Sequence, residues 1–326
     1  MKMLSRLAKK NSRSITTLVA LCLIILVFSV LSTRYFQYDN LIDIVNQGVV
    51  NAFLACGMTV AIITAGIDLS VGSTMAVVIV TCAELSSHGV PVILTVILGL
   101  VVGAIIGLIN GLLVTKMNLQ PFIATLGTCQ IFRGVAYVIS GGEPVLNVAG
   151  AYREAFQFQI VRGVRMNMVY LLILAIIFAV ILVRKRAGVY IYAIGSNENA
   201  AKMSGININR YKRIAYVMCS IGAAMAGMVT LARLGTGEPT AGEGFETMAI
   251  AAAAIGGTSL AGGKGSILGT VLGAFTISAL KIGLIVVGMD TFYQFIAIGL
   301  IIILATYMDT LQAVVIRLFS KKSKSA

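Results

Sequence analysis

Two stretches rich in glycine and hydroxyl groups carry residue types that bind phosphate or move a proton, and each interrupts an apolar run: GIDLSVGS at Gly66–Ser73 and GGTSLAGGKGS at Gly256–Ser266. In the second, Gly256, Gly257, Gly262 and Gly263 stand with Thr258, Ser259 and Lys264, the contents of a phosphate cradle. A Walker loop needs Gly, four residues, then Gly-Lys-Ser/Thr, because backbone N–H groups wrap the phosphates and the hydroxyl after the lysine holds Mg²⁺. Counting back from Lys264, the first glycine position is Thr258, and the residue after Lys264 is Gly265. The flank MAIAAAAI is no Rossmann-type strand, so nucleotide binding by this loop is not expected. Two readings remain. The glycines form a tight helix–helix connection, supplying positive φ and close backbone approach, or they break a helix beside a translocation path.

The first stretch repeats the theme with Gly66, Asp68, Ser70, Gly72 and Ser73, and it shares a G-x-x-L spacing with the second. Unwound backbone inside a bilayer is tolerated only where protein or a water-filled cavity covers it. Two such breaks, one in each half, point to a transporter built from related halves. Asp68 would cost about 2.5–3.5 kcal/mol at a bilayer centre. It either lines the path or carries a coupling proton, or, the favoured reading, accepts N–H bonds from the helix beginning near Val71. Arg133, Arg233 and Lys281 pose the same choice, with snorkelling to an interface the default for Arg233. His88 is the one histidine, and the five cysteines lie singly in apolar runs. Neither a metal site nor a hydrolytic centre is expected from such a set.

The elements that must position these residues are membrane helices. The chain is 326 residues long, 58% hydrophobic and 11% charged, where a soluble domain is about 25% charged. Apolar runs occupy Ile15–Thr33, Gly48–Ala65, Val71–Leu85, Val92–Thr115, Phe122–Ser140, Met168–Val183, Ile214–Leu231, Thr247–Ile255, Ser266–Val287 and Phe292–Met308. The expected fold is an all-α polytopic membrane protein of about ten transmembrane helices, residues 1–326 forming one transmembrane domain. An even count puts both termini on one side. Basic residues cluster in segments 1–14, 184–213 and 310–326, which the positive-inside rule assigns to the cytosol. The net charge of +13 is thereby explained by topology and anionic lipid, without nucleic acid. The polar stretch Gly141–Asn167 carries no usable signature.

Within the central basic loop, SNENAAKMSG predicts a short free helix: Ser196 or Asn197 caps, Glu198 lies in the first turn, Lys202 in the last, and Gly205 stops it. Ala200 and Ala201 give it a face that another protein can approach closely. So short a helix is unstable alone; it either docks or is a solvated connector.

These residues resemble the permease subunits of bacterial ABC importers for monosaccharides, the ribose type in particular. The resemblance rests on GIDLSVGS, on FIATLG at Phe122–Gly127 with Arg133-Gly134, and on YAIGSNENAAKMSGIN at Tyr192–Asn207. It continues through PTAGEGFE at Pro239–Glu246 and IGGTSLAGGKGS at Ile255–Ser266. It implies a homodimeric permease of the inner membrane, surrounded by lipid, that moves a pentose or hexose by alternating access. A separate cytosolic subunit would bind ATP and Mg²⁺, this chain binding no cofactor, and a periplasmic protein would deliver the sugar. On this resemblance Asn197, Glu198, Asn199, Ala200, Ala201, Lys202, Met203, Ser204 and Gly205 form the coupling helix that seats in the ATPase. The glycine-rich residues of both interruptions become path or helix-break candidates. Glu238, Pro239, Thr240 and Glu243 become candidates to face the periplasmic partner. The alternatives are another cargo, a sugar-like signal molecule or a branched-chain amino acid, and a secondary carrier coupling ions through Asp68 and Glu84.

Overall fold

The computed structural model describes residues 2–290, 292–300, 303, 304 and 307, with side chains from residue 15 onward. The helices are α1 (Lys2–Leu31), α2 (Tyr38–Ile63), α3 (Val71–Ser87), α4 (Val92–Thr115), α5 (Pro121–Ser140), α6 (Gly150–Gln157), α7 (Met166–Arg184), α8 (Arg186–Ser196), α9 (Glu198–Met203), α10 (Ile208–Leu234), α11 (Phe245–Ile255) and α12 (Ile267–Val286). Residues 292–300 are helical as well. Among the described residues six helices are long and apolar enough to cross a membrane, and Ile15–Leu31, Val71–Ser87 and Phe245–Ile255 are shorter apolar helices. The expected runs coincide with these helices to within a few residues, except that α1, α2 and α10 begin thirteen, ten and six residues before their apolar runs. The tail 310–326 and part of the last run lie outside the described residues, as do the side chains of the basic segment 1–14.

Burial separates the helices into two classes. Helix α2 is enclosed from Val49 to Ile63, packed against α10, α12 and α11, and α10 is nearly as deeply set. Helices α4 and α7 bury a single stripe and present Ile93, Ile97, Val101 and Ile105, and Leu172, Ile176 and Val180, outward. Because hydrocarbon is as apolar as these side chains, nothing draws them inward. The interior uses small residues instead. A Cβ on Gly57 would meet the backbone of Cys219, and one on Gly107 the backbone of Tyr216 and Val217. Small residues at such crossings let whole helices approach.

Two segments fold differently from expectation. The stretch before α7 is a small cap in which α6 buries Tyr152 and Phe156, followed by a hairpin of β1 (Gln159–Val161) and β2 (Val164–Arg165). Much of the central loop is helix α8, whose sequence RAGVYIYAIGS hides its helicity behind β-branched, aromatic and glycine residues of low intrinsic propensity. Cys56, Cys82 and Cys219 are buried free thiols and Cys129 is half-buried, whereas Cys22 is exposed.

Candidate functional site

Three irregular segments converge on the enclosed ends of α2, α3 and α11. After Ile63 the chain turns at Thr64, Ala65 takes φ +59°, and residues 66–70 run as extended backbone and a turn before α3 starts. A Cβ on Gly66 would crowd the buried hydroxyl of Tyr216, which would have to shift to admit it.

Asp68 is fully buried at the centre of this segment. Its Oδ1 accepts from the Ser70 N–H at 2.9 Å, from the Ser70 hydroxyl at 2.6 Å and from Asn110 Nδ2 at 3.3 Å. Asn110 Nδ2 also donates to Ser70 Oγ at 2.7 Å, and Thr125 Oγ1 donates to the Ile67 carbonyl at 3.1 Å. Asp68 thus accepts from the residue preceding α3, not from the helix's first turn: it braces the break itself and clamps it to α4. Among the described residues no cation pairs with it. Glu84, the other acid of the ion-coupling alternative, lies in the last turn of α3, about 20 Å from its start at 1.5 Å per residue. It contacts His88 there, so the two acids do not share a site.

The segment between α10 and α11 folds inward. Gly237 exchanges backbone hydrogen bonds with Val145 beside Ala83, while Gly242 packs backbone to backbone on Gly72. Those two stations on α3 are eleven residues apart, about 16 Å along the axis. Arg133 holds the descending chain, donating from one guanidinium nitrogen to the carbonyls of Pro239 at 2.6 Å and Ala241 at 2.9 Å. Pro239 is buried and Glu238 half-buried, so of the four residues expected to face an outer partner only Thr240 and Glu243 are exposed. Glu246 places its carboxylate at the first turn of α3, where the helix dipole favours an anion. The arginine in an apolar helix was the signal for this re-entry; its carbonyl partners, more than a hundred residues away, were not legible.

The glycine-rich loop after α11 joins the third corner. Gly257, Gly262 and Gly263 all take positive φ. Five of its N–H groups are already engaged: Gly257 with the Ala254 carbonyl, Thr258 with that of Ala253, Ser259 with Lys264, Gly262 with Ser259 and Gly263 with Ile63. A phosphate would find those donors already held by carbonyls. Gly263 also packs on Ser196, and Tyr192 donates to the Gly265 carbonyl at 2.8 Å. Gly195 completes the junction, since a Cβ there would overlap the Ile63 carbonyl. The end of α2, the loop and the end of α8 therefore meet through bare backbone. Thr258 is buried, whereas Lys264 is exposed on the same corner.

Helix α9 follows α8 directly. Asn197 caps it through its Oδ1, which accepts from the Ala200 N–H at 2.9 Å, and Gly205 turns the chain at φ +78°. Lys212 of α10 donates to Glu198 at 2.7 Å. Ala201 is buried beneath the helix, which removes it from the outer face. That face presents Asn199, Ala200, Lys202, Ser204 and Met203, the last 90% exposed.

The sequence is similar to those of known transport proteins. The family described as "Branched-chain amino acid transport system / permease component" matches residues 40–306. The ribose import permease protein RbsC of Escherichia coli (strain K12) is 42% identical over 297 residues, 90% of this chain and 92% of that protein. The D-allose transport system permease protein AlsC of the same strain is 40% identical over 297 residues, 90% of this chain and 91% of its own. RbsC of Bacillus subtilis (strain 168) is 38% identical over 292 residues, covering 89% and 91%. No solved structure matches the chain.

Proposed function

The chain belongs to this family of ABC importer permeases, and on that premise we propose that it forms the membrane path for a monosaccharide, a ribose-like pentose or a hexose. Relatives named for ribose and allose import, similar along nearly their whole length, carry this reading. The chain moves its cargo by alternating access and performs no covalent chemistry. A cytosolic ATPase subunit supplies the energy and a periplasmic binding protein delivers the sugar. Both termini lie in the cytosol of a bacterial cell, and the helical segments make about ten crossings of its inner membrane.

Helix α9 is the part that docks on the ATPase. Support comes from its cap, its outward polar face and an apolar Met203 standing almost entirely free of its own chain. Methionine is among the residues enriched in the cores of protein interfaces. Met203→Glu is expected to cut ATP-driven uptake by about tenfold or more, as loss of one anchor worth about 2 kcal/mol would. The Tm of the purified permease should stay within a few degrees; wild-type uptake in the variant would remove α9 from the interface.

A second copy of the chain completes the path. Helix α5 supports this with Gly127, Gln130, Ile131 and Gly134 exposed on one face, and nothing within 4 Å of either glycine. Small residues flanking an amide are what helices use to associate in lipid.

ATP and Mg²⁺ bind the partner, and this chain takes no cofactor. Lys264→Ala is accordingly expected to leave ATP hydrolysis by the assembled complex within about twofold of wild type, since exposed charges away from a site contribute little. Photolabelling of the purified permease by an ATP analogue at this loop would contradict it. The overall test is uptake of D-ribose, D-allose and D-fructose into proteoliposomes holding permease and ATPase, with binding protein supplied outside. ATP-dependent uptake of one of them is expected, and uptake by the lone chain under a proton or sodium gradient would replace this reading with an ion-coupled carrier.

A further inference from the structure

A cavity of about 530 Å³ opens between α6, the hairpin and the end of α10. Arg233 on its wall lies 25 residues beyond Ile208, where α10 starts beside α9. That is about 37 Å at 1.5 Å per residue, and a hydrocarbon layer is about 30 Å thick, so the cavity stands at the membrane interface opposite α9. Three guanidinium groups, of Arg153, Arg165 and Arg233, share its wall with one carboxylate, Glu154. None of the three has an ion-pair partner among the described residues. Gln157 holds Arg165 in place, its Oε1 accepting from Nη1 at 2.8 Å. Arg165 and Arg233 are near enough to repel each other, and Asp43 of α2, whose charge also reaches Arg233, makes no ion pair with it. Unpaired guanidinium groups gathered round an open space suit a phosphate, whose oxygens match their paired N–H donors, and the volume is that of a ligand site.

The surroundings say which phosphate. Phe158, which lines the cavity, and Ile160, Val161 and Val164 of the hairpin are all exposed. Such a cluster of bare apolar side chains marks a surface that something covers. β2 ends at Arg165 and α7 begins at Met166 with no linker between them, and Leu172 and Ile173, two turns on, are exposed on the lipid-facing side of α7. The apolar edge of the hairpin therefore continues the surface that meets hydrocarbon. Arg162 at the hairpin tip lies over the ring of Tyr38, 4.9 Å from its centroid, and aromatic rings and long cationic side chains are the groups that settle at a bilayer interface. Helix α7 packs chiefly on α2, α8 and α12, and helix α5, offered above to a second copy, on α3 and α4, so the two look out from different sides of the core.

We propose that this cavity binds the headgroup of an anionic phospholipid, with Arg153, Arg165 and Arg233 on its phosphate and its acyl chains against Phe158, Ile160 and Val164. A zwitterionic headgroup would add an ammonium to a wall where cations already outnumber carboxylates three to one, whereas a glycerol headgroup brings hydroxyls that Gln159 and Glu154 can bond. The lipid ties α6 and the hairpin to the end of α10, where Gly235 packs on the Arg153 guanidinium and the inward-folding segment begins. The site requires only that the chain is embedded in a bilayer and is independent of the cargo.

The chain has no tryptophan, so Ile160→Trp gives the full-length permease a single indole beside the cavity. The variant is reconstituted in phosphatidylcholine vesicles that carry increasing fractions of either phosphatidylglycerol or phosphatidylcholine brominated on the acyl chains, bromine quenching indole on contact. Basic segments at the opposite face also attract anionic lipid, but the indole reports only its own neighbours. Half-quenching by brominated phosphatidylglycerol is expected at a lipid fraction about fivefold or more below that for phosphatidylcholine, the preference that one arginine near an anionic headgroup supplies. Arg153→Gln with Arg165→Gln should bring the two fractions to within about twofold while general quenching by lipid and the Tm in phosphatidylcholine stay as they were. Inorganic phosphate and glycerol 3-phosphate at millimolar concentration should leave the preference intact. Equal quenching by the two lipids in Ile160→Trp alone overturns the proposal, whether or not the arginine variant folds, and so does a preference that survives the arginine changes. An indole that no brominated lipid quenches overturns it too, leaving the cavity to an acidic surface of a protein partner, and a preference erased by inorganic phosphate assigns the cavity to a soluble anion instead.

Discussion

Asp68→Leu is expected to destabilise the permease by about 3–5 kcal/mol, because the Ser70 N–H and the Ser70 hydroxyl lose their acceptor at once, each unsatisfied group costing about 1–3 kcal/mol, while Asn110 Nδ2 keeps only its bond to Ser70 Oγ. The Ser70 N–H and hydroxyl converge on one carboxylate oxygen in a site closed to water, and Asn110 Nδ2 reaches both oxygens. The leucine has similar bulk but nothing to offer them. Membrane yield and Tm in detergent should both collapse, and uptake with them. Asp68→Asn is the informative companion. It keeps an acceptor at Oδ1 and removes the charge, which has no cationic partner among the described residues. If Asp68 is a brace, the asparagine variant loses about 1 kcal/mol or less and still transports. If it instead relays a proton, the asparagine variant folds normally and transports nothing. Uptake at a series of external pH values in that variant separates the two.

Gly195→Ala carries the second large effect, and intrinsic helix preference predicts its opposite. Within a helix, alanine is favoured over glycine by about 1 kcal/mol, so α8 alone would gain. In the protein that methyl group overlaps the Ile63 carbonyl and crowds the Gly263 N–H, both backbone atoms with no rotamer to yield. Either α8 is pushed off the end of α2 or the hydrogen bond from Gly263 to Ile63 breaks. Overpacking of this kind costs about 1–3 kcal/mol. The expected outcome is a Tm lowered by several degrees and ATP-driven uptake reduced at least tenfold, with α9 no longer seated. Gly299→Ala, where nothing lies within 4 Å, is the control and should change neither quantity. A Gly195→Ala variant more stable than wild type and fully active would show that the junction is looser than its contacts describe.

Most helix ends were legible because they are written locally, whereas the polar first turns of α1, α2 and α10 were not. Apolar runs end where charge, proline or glycine begins, and α4 spans the same residues as its run, Val92–Thr115. The short helix α9 was equally plain, since a side-chain cap and a glycine stop are nearest-neighbour devices. What could not be read is what joins distant parts of the chain. Gly263 finds Ile63 across two hundred residues, and nothing near either one indicates it. Pro239 and Gly242 sit among polar residues that suggested an outer loop, yet Arg133 and Gly72 draw them inside. Ala201 and Ala200 are adjacent and chemically identical, and only tertiary packing decides which of them is covered.

The junction of Ile63, Gly195 and Gly263 has a mechanical meaning. Side chains between two elements act as soft bearings, because each can change rotamer and absorb a displacement of an ångström or so before passing it on. Here the bearing has been left out, and carbonyl meets amide directly. Gly195 lies in the last turn of α8, three residues before α9 begins, so on the proposed docking of α9 a thrust there would meet the last carbonyl of α2 across backbone contacts alone. A joint of that kind leaves no clearance: a methyl group added at Gly195 or Gly263 would wedge its backbones apart.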